Sequence, residues 1–104
     1  MDKYIIVLVT APSQKTAAGI AKMLVKSRLA ACANIIPKVR SIYRWQGKLY
    51  DEPEVLMVIK TKKALFRRLA EKVRAIHPYQ VPEIISLTIT AGDKKYLQWL
   101  DETV

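Results

Sequence analysis

The chain opens with a run that is apolar at almost every position. Residues 3–10 read Lys-Tyr-Ile-Ile-Val-Leu-Val-Thr, as in a central strand with both faces covered. Pro12 stops the run and Ser13 is a good helix N-cap. From there to about Ser27, Ala17, Ile20, Ala21, Leu24 and Val25 form one apolar stripe, and Lys15, Lys22 and Lys26 face outward. Between Ala30 and Trp45 the period becomes two. Ala33, Ile35, Val39, Tyr43 and Trp45 share one parity; Asn34, Lys38, Arg40 and Arg44 share the other. Gln46-Gly47 predicts a turn back through Lys48-Leu49, and Asp51-Glu52-Pro53 predicts a bend or bulge before a strand over 54–60. Thr61 is expected to cap a second helix that carries Leu65, Leu69, Val73 and Ile76 on one face and ends at His77-Pro78. A fourth strand is expected over 83–90, then a turn, with Asp93 capping a short helix that contains Tyr96, Leu97, Trp99 and Leu100.

The order β-α-β-β-α-β plus a terminal helix predicts an α+β, ferredoxin-like sandwich with an extended hairpin between the second and third strands. Right-handed crossovers put the first and third strands at the centre and both main helices on one face. The other face must be covered by something if it is apolar, and the hairpin arms are longer than ordinary strands of about 5–6 residues. Self-association meets both demands.

Composition narrows this further. A length of 104 residues allows one domain, over 1–104, and 51% hydrophobic residues exclude a disordered tail. The single cysteine rules out an internal disulfide framework or a multi-Cys zinc site. No apolar run approaches the ~20 residues of a membrane span, so no membrane partner is expected, and a free thiol without a targeting segment suits the cytoplasm. The 18 Lys and Arg against 9 Asp and Glu give +9, the electrostatic footprint of a nucleic-acid binder. Yet the basic residues are dispersed, without a low-complexity arm. They are therefore read as solvated helix faces, and nucleic acid is not expected as a partner.

The usual motifs of this topology are absent. The strand over 54–60 has no aromatic for stacking RNA bases. Thr10-Ala11-Pro12-Ser13 lacks the cysteine pair of a copper chaperone, and three glycines make no phosphate loop. The one Cys and one His stand 45 positions apart, and no catalytic constellation emerges. The protein is expected not to be an enzyme.

Five segments are more specific: Leu29-Ala30-Ala31-Cys32-Ala33-Asn34-Ile35, Ser41-Ile42-Tyr43-Arg44-Trp45-Gln46-Gly47-Lys48, Ile59-Lys60-Thr61, His77-Pro78-Tyr79-Gln80-Val81-Pro82-Glu83, and Tyr96-Leu97-Gln98-Trp99-Leu100. In order and spacing they closely resemble the CutA divalent-ion tolerance family across essentially the whole chain. Gln80 departs from the pattern where many members carry an acid, and Val9 where some carry Cys.

The resemblance implies a homotrimer of ferredoxin-like subunits, similar to PII-type signalling proteins, with a non-catalytic role in tolerance to copper and other divalent cations. It also implies a ligand cleft between subunits. Lys60, Tyr79 and Glu83 match its polar cluster, Arg44 and Trp45 lie nearby, and a small ligand is a further expected occupant. No cofactor is obligatory. For a metal, the sequence offers His77 and, less directly, Cys32, and copper heads the divalent affinity order for such donors. The alternative function is a basic, nucleic-acid-associated ferredoxin-like protein.

Overall fold

The computed structural model of the protein describes residues 3–104. Its elements follow the expected order: β1 (Tyr4–Ala11), α1 (Gln14–Lys26), β2 (Cys32–Trp45), β3 (Lys48–Lys62), α2 (Phe66–Ile76), β4 (Ile84–Thr88) and α3 (Lys94–Thr103). The strands pair antiparallel in the order β2-β3-β1-β4, so β3 and β1 are central, as a split βαβ arrangement requires. The fold is ferredoxin-like.

One face of the sheet carries the core. Ile5, Val7 and Val9 of β1 and Val55, Met57 and Ile59 of β3 pack with Ile20 and Leu24 of α1 and Leu69 and Val73 of α2. Helix α1 starts where the sequence places it, because the Ser13 hydroxyl accepts the Thr16 N–H at 3.1 Å. The opposite face of the central strands is also apolar. The register aligns Ile6 with Leu87, and Leu8 with Ile85 and Val58, yet Ile85 and Leu87 remain 51% and 53% exposed. Strand β1 is thus covered on one side by this chain's own helices and only partly on the other.

Beyond the pairing of Ala11 with Val55, β2 and β3 run on as a two-stranded arm, drawing the molecule out to 44 × 25 × 23 Å. The arm closes through Gln46 and Gly47, at φ +50° and +77°, the pair of left-handed residues that a tight hairpin turn needs.

Three expectations are corrected. The irregularity falls on β2, not at Asp51-Glu52-Pro53. Ile36 pairs with Leu56 and Val39 with Glu54, three steps against two, around Pro37, which has no N–H to give the ladder. The extra residue reverses the facing of everything after it. Ala33 and Ile35 point to the core, whereas Val39, Tyr43 and Trp45 lie on the helix-free face. Thr61 is no helix cap either; it is a buried residue of β3 whose hydroxyl donates to the Leu29 carbonyl at 2.7 Å, and a 3₁₀ turn (Lys63–Leu65) leads into α2. Strand β4 is shorter than predicted, because its pairing with β1 spans only Ile84 to Thr88.

Candidate functional site

The segment after α2 is fixed by one imidazole. A carbonyl only accepts and an amide only donates, so the two bonds of His77 dictate its tautomer. Nε2 donates to the Thr10 carbonyl at 2.8 Å, and Nδ1 accepts the Tyr79 N–H at 3.1 Å. The ring is buried and tilts against the Tyr79 ring, with centroids 4.8 Å apart. This clamp folds residues 77–83 over the end of β1 and delivers the Tyr79 hydroxyl to Glu54, 2.8 Å away.

Glu54 lies at the base of the hairpin on the helix-free face. The β2 bulge turns Ser41, Tyr43 and Trp45 to that same side, opposite Glu52, Tyr50 and Lys48. Tyr43 stacks on Tyr50 at 5.3 Å and donates to Glu52. On this side lies a cleft of about 630 Å³ lined by, among others, Thr10, Tyr43, Trp45, Glu54, Tyr79 and Glu83, with Glu52 and Lys48 outside its lining.

The cleft is acidic within a strongly basic chain. Among the described residues, no Lys or Arg lines it. Three of its groups, Tyr79, Tyr43 and Glu83, hold their protons more tightly than usual. Desolvation, then donation to Glu54, pushes the Tyr79 hydroxyl well above the ordinary phenol range. Donation to Glu52 raises Tyr43 to about 12. Glu83 is pushed up first by desolvation against the cleft wall and then by the nearby charge of Glu54. Desolvation leads for Tyr79 and Glu83 and hydrogen bonding for Tyr43, and the neighbouring carboxylates add to all three.

Of the residues the sequence nominates for the cleft, Trp45, Tyr79 and Glu83 come together and two do not. Arg44 sits on the other face of the hairpin, across from Leu49. Lys60 lies six residues along β3 from Glu54, roughly 20 Å away. It donates to Asn34 and pairs across the sheet with Cys32 and Ile6.

The nominated metal ligands are also separate. Cys32 lies at the Lys60 end, half-buried, with Sγ 3.6 Å from the Tyr96 hydroxyl. His77 holds Thr10 at the other end of β1, and neither of its nitrogens keeps a lone pair open to a metal in this arrangement. In this structure His77 serves as a clamp between Thr10 and Tyr79. Among the described residues, no three His, Cys, Asp or Glu side chains stand close enough to hold a metal ion.

Glu54, Glu52, Tyr43 and Tyr50 are the site residues that sequence reasoning missed. Pro37 in the middle of β2 was the available signal, since a bulge there re-aims the arm.

A family model described as CutA1 divalent ion tolerance protein matches residues 5–103. The divalent-cation tolerance protein CutA of Thermus thermophilus is 52% identical over 97 residues, covering 93% of this chain and 94% of that one. Human protein CutA is 49% identical over 92 residues, covering 88% of this chain but 51% of its own length, so the chain spans about half of that relative. The solved structure of the divalent cation tolerance protein (Cut A1) from Thermus thermophilus superposes with a TM-score of 0.93 at 50% identity, over 96% of this chain and 97% of that one.

Proposed function

The chain belongs to the CutA1 divalent ion tolerance family, and we propose that it serves divalent-cation tolerance as a non-catalytic, cytoplasmic homotrimer with a signalling-like role, taking a divalent cation, copper foremost, at its acidic cleft. What carries this reading is charge. In a chain of net +9, Glu54 and Glu83 face one cleft, Glu52 stands beside it, and no cation among the described residues lines the walls. A divalent ion entering there stabilises ionised Glu83, whose proton is held first by desolvation and then by the charge of Glu54. Two carboxylates are an incomplete set, so water or a neighbouring subunit supplies the remaining donors.

The assembly has its own support. The apolar helix-free face, with Ile85 and Leu87 half exposed, and the projecting hairpin both call for a second copy. Lys60, outside the cleft of its own subunit, enters the proposal as the group a neighbour contributes to the cleft edge. Cys32 is kept as a separate, weaker copper donor. One feature favours a non-catalytic role. Ser41 lines the cleft, but the sole imidazole has both nitrogens engaged and serves no hydroxyl as base. The cytoplasmic placement rests on the free thiol; among the described residues no helix is long and apolar enough to cross a membrane.

Calorimetric titration with Cu²⁺ and Mg²⁺ tests the reading. Wild type binds Cu²⁺ in preference to Mg²⁺, and Glu54→Gln with Glu83→Gln loses most of that binding while Cys32→Ala keeps it. Equal isotherms for all three proteins would place the ion elsewhere.

A further inference from the structure

Along the sequence the basic residues look dispersed, but the fold gathers them. Segments 14–28 and 63–76, which carry α1 and α2, hold nine Lys and Arg against one carboxylate, a net of +8 out of the chain's +9. All nine are exposed. The lone carboxylate, Glu71, is taken by Arg67 at 3.3 Å. The rest of the molecule, cleft included, is close to neutral overall.

The cations are ordered as well as concentrated. Lys15, Lys22 and Lys26 recur at i, i+7 and i+11, one ridge about 16 Å long, on the side of α1 opposite the buried Ala17, Ala21 and Leu24. Arg68 and Lys72 stand one turn apart on α2, on the flank beside the buried Leu69 and Val73, and with Ser27, Leu29 and Glu71 they border a hollow of about 430 Å³. Helices α1 and α2 pack against each other, so the two sets of cations stand on neighbouring helices. Such a concentration of exposed cations suits the phosphates of a duplex, whose neutralisation dominates sequence-independent binding.

We propose that this helical face docks a duplex nucleic acid through its phosphates, without reading bases. It has no Trp or Tyr on which to stack an unpaired base, which disfavours single strands. The apolar stripes of both helices are in the core, and Val25 and Ile76, at 41% and 52% exposure, stand singly. Nothing on the face forms the continuous apolar band with which a helix enters a bilayer. The self-association argued above uses the opposite face of the sheet and leaves these helices outside, so each added subunit repeats the surface. The inference is independent of the acidic cleft and of any metal.

Fluorescence anisotropy with a short labelled DNA duplex, titrated with the intact protein, tests it. Binding should weaken by about a hundredfold or more between roughly 50 and 200 mM salt, as expected for four or more phosphate contacts. The variants K22E/K26E on α1 and R68E/K72E on α2 should each lose at least about tenfold in affinity and lower the salt slope by about 2. K94E/K95E on α3 removes the same charge away from the surface and should bind within about threefold of wild type; K22Q/K26Q stands in if a reversed pair fails to fold. Equal losses in the α3 control and the helical variants would overturn the proposal, since net charge rather than a surface would then be responsible. Binding to phosphatidylserine vesicles without binding to the duplex would overturn it in favour of a lipid partner, and no duplex binding at about 50 mM salt would end it outright.

Discussion

The Tyr79 hydroxyl donates to Glu54 over 2.8 Å, and this bond ties the segment after α2 to the base of the hairpin. A hydrogen bond to an ionised acceptor contributes about 1.5–3 kcal/mol when well shielded. The pair is only half-buried, so about 1 kcal/mol is the better expectation. Tyr79→Phe keeps the ring and removes the donor. Urea denaturation should show that loss with an unchanged m-value, whereas a wild-type midpoint would mean that the bond is replaced by water at no cost.

His77 tests a structural role against a metal-binding one. Its removal strands the Thr10 carbonyl and the Tyr79 amide in a buried place and opens a small void, so His77→Ala should cost about 2–4 kcal/mol. Copper binding by the gentler variant His77→Gln, measured under conditions where it is folded, should match wild type. A lost copper isotherm in a well-folded variant would restore the imidazole as a ligand.

Glu83 gives a pH signature of definite sign. Its folded pKa lies above its ordinary value, so the folded state binds the more protons between the two. The group therefore opposes folding at neutral pH, and that penalty is relieved as pH falls through the raised pKa. Glu83→Gln should stabilise the protein at pH 7, and its advantage should shrink as pH approaches the ordinary carboxylate range. Cation binding runs the other way, because protons compete for the same oxygens, so Cu²⁺ affinity should decline before the pH reaches the ordinary Glu value near 4.5. Parallel stability profiles for wild type and Glu83→Gln would show that this carboxyl has no linkage to folding.

The helix-free face predicts the assembly. Ile85 and Leu87 point there from β4, half exposed within one chain. Burying lysines at both positions of an interface is prohibitive. Ile85→Lys with Leu87→Lys should therefore sediment as a monomer of 11.9 kDa, while wild type sediments as a trimer. A wild-type monomer at micromolar concentration, or a variant that still assembles, would contradict the arrangement.

The element order, the N-cap at Ser13, the central place of β1 and β3 and most of the core stripes of both helices were legible in the sequence because periodicity and capping are local signals, though Val25 and Ile76 of those stripes are exposed. The cleft was legible only in part. A strict period of two carries Tyr43 and Trp45 along with Ala33 and Ile35, and only the bulge at Pro37 separates their faces. Thr61 reads as a cap because its hydroxyl precedes a helix, but its real acceptor, the Leu29 carbonyl, is 32 residues back in the chain. The same holds for His77, whose partner Thr10 is 67 residues away. Charge is the third case. Dispersed along the chain, the lysines and arginines look like ordinary solvation, and only the pairing of α1 with α2 turns them into one surface.

The central claim, a divalent cation held by the acidic cleft, is tested most directly by an anomalous difference map at the copper edge from crystals of the intact protein grown with Cu²⁺. A peak within about 2–2.5 Å of carboxylate oxygens of Glu54 and Glu83 is the predicted result. A map with its copper peaks at Cys32 or His77, and none between the two glutamates, would contradict it.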